Sequence, residues 1–293
     1  MKKSKKLTTR LITNFLKSYF PNFIYPHYLF LKTFKNFKRK TTNPKQFDKF
    51  SNNLDQINQN EFKITSQNNE DGIIEYIFNI VPNNKHFVEI GFGYYEFNSL
   101  NLIKKGWEGK LIDTNIDEAI ALKKNLTHYY PSVNVEVVNV KILKDNINKL
   151  IYNKEKKKWI DFFSLDIDSN DYWILKSVDL SQVSVLCCEY NHWLGKERKL
   201  TIPHNDDFKF VDNGIWGASL LAITELLKDK DFSLIAVESS GTNAFFINNK
   251  YRSSFEILSP LKSYKSVGRF YNEDQKNKIF ENVKSSKLLL EIK

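Results

Sequence analysis

Sulfur is scarce in this chain: its 293 residues include two cysteines and one methionine. Cys187 and Cys188 are adjacent and lie inside an apolar, strand-like run, so they cannot build a disulfide framework. They read as small core filler in a protein kept in a reducing cytoplasm. No stretch of about 18 consecutive apolar residues occurs, which excludes a membrane-spanning helix. Acid is missing from residues 1–40, which carry eleven Lys and Arg and no Asp or Glu. Taking those eleven from the 44 basic residues leaves 33 against 34 acidic ones, so the body is close to neutral. The net charge of +10 is therefore local, and it does not mark the body as a nucleic-acid binder.

The basic leader also holds nine aromatics, among them Phe15, Tyr19, Phe20 and Phe23. Leu11, Phe15 and Phe20 with Arg10 and Lys17 suit a short amphipathic helix that Pro21 ends. Arg10, Asn14 and Lys17 interrupt the apolar core that a secretory signal needs. Basic residues interleaved with aromatics suit an anionic bilayer surface; packing on the chain's own body or on a partner is the alternative. Residues 41–60 are polar and read as a linker. The expected division is leader and linker over 1–60, a catalytic domain over 61–250, and a partly helical extension over 251–293.

Within the domain, apolar runs alternate with helical spacing. Strands are expected at 87–91, 109–113, 133–140, 160–166 and 183–189, with helices at about 95–105, 116–127, 143–152 and 171–178 between them. That alternation means a doubly wound, mostly parallel α/β sheet. Residues 217–228 form a further helix. Phe232 to Glu238 and Asn243 to Asn248 are strands joined by four residues, too few for a crossover, so they pair antiparallel. The expected sheet thus has seven strands, with a terminal antiparallel one, as in class I methyltransferases.

The clearest motif is Phe87-Val-Glu-Ile-Gly-Phe-Gly-Tyr-Tyr-Glu96, followed 22 residues after Gly91 by Asp113. Strand, glycine turn, helix and a second strand ending in an acid is the unit that holds an adenosine-containing cofactor, the acid taking the ribose hydroxyls. A dinucleotide fingerprint wants a small residue at position 96, because the pyrophosphate lies there against a helix N-terminus. Glu96 would repel a pyrophosphate but not S-adenosylmethionine, which has no phosphate and carries a sulfonium. The motif thus points away from NAD.

Ligands of such sheets sit beyond the carboxyl ends of the strands. There Asp166, Asp168 and Asp171 follow the fourth strand, and Glu189 and His192 follow the fifth. Asp166, Asp168, Asp171 or His192 could act as general base toward an acceptor hydroxyl. Asp166, Asp168 and Glu189 could instead hold a hard cation such as Mg²⁺, or the acids could orient sugar hydroxyls. The Asp166-x-Asp168-x-Asn170 spacing imitates an EF-hand, but Asp171 occupies the position of its required glycine. The (D/N/S)PP(Y/F) run of base amino-methylation and the Pro-Cys of cytosine methylation are absent, which disfavours a nucleic-acid substrate.

Over residues 64–250 the chain resembles the FkbM-type methyltransferases. The likeness rests on Ser66-Gln-Asn-Asn-Glu-Asp-Gly-Ile73, the glycine motif, Gly106-Trp-Glu-Gly-Lys-Leu-Ile-Asp113, Leu165-Asp-Ile-Asp-Ser-Asn-Asp-Tyr-Trp173, Glu189-Tyr-Asn191, Gly217-Ala-Ser-Leu220 and Gly241-Thr-Asn-Ala-Phe-Phe246. Two departures are Asp113, where Glu is common, and Ser169, where Gly is frequent. The resemblance implies S-adenosylmethionine-dependent O-methylation of sugars, glycolipids or small metabolites. It implies that Glu89, Gly91 and Gly93 line the methionine end of the cofactor, that Asp113 holds its ribose, and that Gln67, Glu70 and Asp71 close over it. Asp166 and Asp168 would face the transferred methyl group. His192 and His204 flank the connection 190–216, the expected acceptor loop.

Overall fold

A computed structural model describes residues 57–93, 96–152, 158–266 and 271–292. The basic leader, with its expected membrane contact, lies outside the described residues. Among those described, no helix is long and apolar enough to cross a membrane.

Helix α1 (Glu70–Ile80) leads into β1 (His86–Ile90), α2 (Leu100–Lys104), β2 (Glu108–Asp113), α3 (Ile116–Tyr129), β3 (Val135–Asn139), α4 (Ile147–Ile151) and β4 (Ile160–Leu165). Then come α5 (Asp171–Ser177), β5 (Val183–Glu189), the short β6 (Leu200–Thr201), α6 (Leu220–Lys228), β7 (Phe232–Val237) and β8 (Asn243–Asn248). The chain finishes through α7 (Pro260–Ser263), α8 (Glu273–Ser285) and β9 (Leu290–Glu291), which pairs with β6.

The main sheet runs β3-β2-β1-β4-β5-β8-β7. All pairs from β3 to β5 are parallel, and β8 is antiparallel to both of its neighbours. The reversed strand is the last of this sheet in chain order but inserts between β5 and β7, so β7 takes the edge. Several expected elements are shorter than the sequence spacing suggests. Most notably, α2 begins only at Leu100, because residues 96–99 form a turn pinned from below by Glu89.

Burial on both faces explains the near-continuous apolar strands. Successive side chains point to opposite faces. Phe163, Leu165, Leu186, Cys188 and Phe246 join the layer under α5 and α6. Phe162, Val185, Cys187, Phe245 and Ile247 join the layer under α1 to α3. The two cysteines are fully buried on opposite faces. Each phenylalanine contributes about 1.5–3 kcal/mol of transfer free energy on burial.

Helix boundaries follow local chemistry. Asn115 accepts from the backbone N–H groups of Asp117 and Glu118 at the start of α3, Ser219 caps α6, and Asn272 with Gln275 forms a capping box on α8. Gly72 in α1 is required by packing: a Cβ there would lie 2.1 Å from the carbonyl oxygen of Asn60. That contact brings the segment from Ile57 to Glu61 onto the body. Ile57, Asn58 and Glu61 are buried there, and Asn58 Nδ2 donates to the carbonyl of Val237 at 2.9 Å.

Winding reverses between β1 and β4, since β2 and β3 extend the sheet one way and β4 and β5 the other. The crevice at that switch point is where an open α/β sheet presents a ligand site.

Candidate active site

Gly91 follows β1 at the switch point with φ +75°, in the region that favours glycine. A Cβ here would sit 1.4 Å from the carbonyl oxygen of Asp166, so no other residue lets β1 and β4 run out side by side. On the next strand Asp113 accepts from the N–H groups of Phe92 at 3.3 Å and Asn115 at 2.7 Å. Burial raises its carboxyl pKa, and those donors oppose the rise. Each oxygen keeps acceptor capacity toward the crevice.

Glu89, one residue before the end of β1, turns its carboxylate under the 96–99 turn. It accepts from Asn98 N at 2.9 Å and Ser99 N at 2.7 Å, and from the Ser99 hydroxyl. Burial lifts its pKa to about 7 against those hydrogen bonds. Glu96 pairs with Lys63 at 3.0 Å. This weakens the sequence argument against a pyrophosphate, because the negative charge of Glu96 is answered by a neighbouring cation.

Beyond β4 lies a different environment. Asp166, Asp168 and Glu189 bring one carboxylate oxygen each within 4.8 Å of one another. Burial comes first among the causes that raise all three pKa values; mutual repulsion adds to it for Asp166 and Glu189. Glu189 Oε2 is buried and accepts no hydrogen bond from the described residues. Asp168 takes φ +54°, which turns its side chain back toward the strand ends. Asp171, at the start of α5, accepts from Ile167 N and Ser169 N at 2.9 Å each and so fixes this loop.

These pieces surround a cavity of about 710 Å³. Its lining includes Gln67, Glu89, Gly91, Gly93, Asn98 and Asp113 around the ends of β1 and β2, together with Asp166, Asp168, Asn170 and Asn243. Asp206 to Lys209 of the long connection cover it. That connection is tied down by reciprocal hydrogen bonds between Asn170 and Asn205, at 2.8 and 3.1 Å, and by Trp173 Nε1 on the carbonyl of Ile202 at 2.9 Å.

The sheet is that of the class I methyltransferase fold. Among solved structures, the chain is similar to an S-adenosylmethionine-dependent methyltransferase from Clostridium acetobutylicum, with 12% identity over 61% of this chain and 89% of that one and a TM-score of 0.39. A counterpart from Aquifex aeolicus shows 12% identity over 70% and 97%, with a TM-score of 0.37. One from Methanosarcina mazei shows 17% identity over 59% and 94%, also at 0.37. These likenesses concern fold alone. No protein-family model and no curated protein matches the chain.

Of the residues singled out in the sequence, Gln67, Glu89, Gly91, Gly93, Asp113, Asp166 and Asp168 line one cavity, with Glu189 behind the last two. Five others, Glu70, Asp71, Asp171, His192 and His204, do not line it. Asp71 is fully engaged elsewhere, accepting from the N–H groups of Ile64, Thr65 and Ser66 at 2.6–2.9 Å and from the hydroxyls of Thr65 and Ser66. It shapes the loop that carries Gln67. Glu70 sits one layer behind the cavity, accepting from Asn68 N at 2.7 Å and Asn243 Nδ2 at 2.8 Å. Asp171 holds the acid loop rather than facing the cavity.

His192 is buried against Trp193, ring centroids 4.6 Å apart. Burial lowers its pKa to about 4, so the ring is neutral near pH 7, and it faces aromatics instead of the crevice. His204 turns to Asp206 at 3.1 Å. Sequence reading missed Asn98 and Asn243, both buried polar residues of the wall. The signal available for Asn98 was its place in a polar pair, Asn98-Ser99, immediately before a helix.

Proposed function

We propose that the protein is an S-adenosylmethionine-dependent methyltransferase of the FkbM type that methylates a hydroxyl of a small polar acceptor such as a sugar or glycolipid headgroup. The observation that carries this reading is the pairing, in one cavity, of the Gly91 and Asp113 cradle with the acids Asp166 and Asp168, which Glu189 crowds from behind. Asp113 would accept both ribose hydroxyls. Gly91 would leave room for the cofactor backbone, and Glu89 would hold the turn around its amino-acid end.

The acceptor would enter beneath Asp206 to Lys209. S-adenosylmethionine would supply the methyl group, and whichever of Asp166 and Asp168 is ionised would take the proton of the acceptor hydroxyl. The cavity walls would contribute chiefly by holding donor and acceptor in a reactive orientation. Burial first, with repulsion from neighbouring acids for Asp166, makes these carboxylates stronger bases than free ones, which suits proton removal from a hydroxyl.

The same three acids fit a hard divalent cation: they are oxygen donors, close together, and Glu189 Oε2 has no donor among the described residues. Asp166, Asp168 and Glu189 would hold Mg²⁺, which would lower the pKa of an acceptor hydroxyl. The leader would place the enzyme at a membrane surface, where glycolipid acceptors reside.

Incubation with methyl-labelled S-adenosylmethionine and a panel of sugars, amines and nucleotide sugars, read by mass spectrometry with and without EDTA, tests this. Label on a sugar oxygen is expected. Label on nitrogen would replace the O-methylation reading, and EDTA sensitivity would decide the metal.

A further inference from the structure

Asn98 lies in the turn before α2, where its hydrogen bonds anchor it to the protein. Its backbone N–H donates to Glu89 Oε1 at 2.9 Å. Its side-chain nitrogen donates to Ser164 Oγ on β4 at 3.1 Å and approaches Cys187 Sγ on β5 at 3.7 Å. An amide held by its nitrogen presents its oxygen on the opposite side. The residue is only 7% exposed and belongs to the cavity wall, and among the described residues nothing donates to its Oδ1. That oxygen is not one of the fully buried polar atoms, so it is open to a donor from a ligand in the cavity.

The surroundings say what that donor is. The carboxylate of Glu89 on β1 lies beneath the same turn, Asp166 follows the end of the neighbouring strand, and Glu70 adds negative potential from behind. The nearby cation, Lys63, is engaged with Glu96 and with the carbonyl of Gln67. An N–H donor carrying positive charge is favoured here over a neutral one. Position supplies the rest. Asp113 ends β2, Asn98 reaches across to β4 and β5, and β1 lies between them. A ligand bridging the two has a diol at one end and an ammonium group at the other.

We infer that Asn98 Oδ1 receives the α-ammonium group of the cofactor's amino-acid end. This rests on the methyltransferase reading above and adds to it a residue that fixes the cofactor's far end, and with it the direction of the methyl group.

The test is a cycle of ligand and side chain. Calorimetric titration of wild type and Asn98→Ala with S-adenosylhomocysteine, and with its des-amino analogue, separates a contact from a structural pin. Wild type should favour the amino-bearing ligand on the order of 10- to 100-fold, as expected of a hydrogen bond to a charged group. Asn98→Ala should lose affinity for that ligand by a similar factor and bind the two analogues within about threefold of each other. Equal weakening of both ligands, or an undiminished preference in the variant, overturns the inference while leaving the cofactor reading intact. Failure of wild type to bind either ligand instead removes the cofactor reading itself. Asn98→Ser, which keeps a small polar group beside Ser164, is measured alongside under the same expectations so that a folding defect in the alanine variant does not decide the result.

Discussion

Two sets of carboxylates, Asp71 and Asp171 on one side and the partly buried Asp166, Asp168 and Glu189 on the other, behave oppositely. Asp71 and Asp171 are each clasped by backbone N–H groups, and they organise loops. Asp166, Asp168 and Glu189 face one another instead, and their burial is answered by no cation among the described residues. A clasped carboxylate is a structural part that needs nothing further. A crowded one is held at a cost in stability, which calls for a proton, a cation or a substrate to relieve it. The sequence motif Asp166-Ile-Asp-Ser-Asn-Asp171 contains both kinds, and only the fold separates them.

The largest effect should come from the crowded set. Asp168→Asn is expected to lower turnover by about 10²- to 10⁴-fold, the range of a general base, while cofactor affinity and thermal midpoint stay level or the midpoint rises. A simultaneous drop in midpoint would place Asp168 with the clasped group. Next comes Asp71→Ala, which leaves three backbone N–H groups without their acceptor. It should destabilise by about 3 kcal/mol and lower the midpoint by roughly 6–12 °C. An unchanged melt, followed by circular dichroism, would dissolve the distinction between the two sets.

A third group of buried acids sharpens the comparison through pH. Glu238 is fully buried; its neighbours are Glu61 from the segment before α1, Glu70 at the start of α1, Ser240 from its own turn, and Asn69, which also donates to Glu61. Tyr190 and Lys265 complete the charged or titratable surroundings. Burial first, then repulsion from Glu70 and Glu61, raises the Glu238 pKa from 4.5 to about 8. Because the folded value lies above the unfolded one, the protonated form's stability is complete below about pH 4.5 and is lost as pH rises through 8. The thermal midpoint should therefore fall between pH 5 and 8, with a slope of up to about 1.4 kcal/mol per pH unit from this group. Glu238→Gln should flatten that slope, and an unaltered pH profile would assign the loss to other groups. The smallest effect is expected from Lys63→Met, which breaks the partly exposed pair with Glu96: a change in stability under about 1 kcal/mol, read from denaturant titration.

The sheet and its reversed strand were legible because burial on both faces writes itself into Phe162-Phe163 and Cys187-Cys188 as continuous apolar runs. The position of the turn at Gly91 and Asp113 was legible for a similar reason, since few residues fit φ +75° against a neighbouring carbonyl. What sequence could not supply was direction. Glu70, Asp71, Asp171 and His192 sit close to the cavity along the chain yet turn away from it, because which groups meet a side chain depends on contacts such as Asn243 on Glu70, 173 residues distant. Asn98 was hidden for the converse reason: a polar residue before a helix reads as a cap, whereas its nitrogen reaches two neighbouring strands.

The central claim is that Asp113 and Gly91 hold an adenosine cofactor while the crowded acids act on a second molecule. Calorimetric titration of S-adenosylhomocysteine into wild type, Asp113→Ala and Asp168→Asn tests it most directly. The account predicts saturable one-site binding to wild type, weakened on the order of 10- to 100-fold in Asp113→Ala and unchanged in Asp168→Asn. No binding to wild type at ligand concentrations of about 1 mM, or equal affinity in Asp113→Ala, would contradict it.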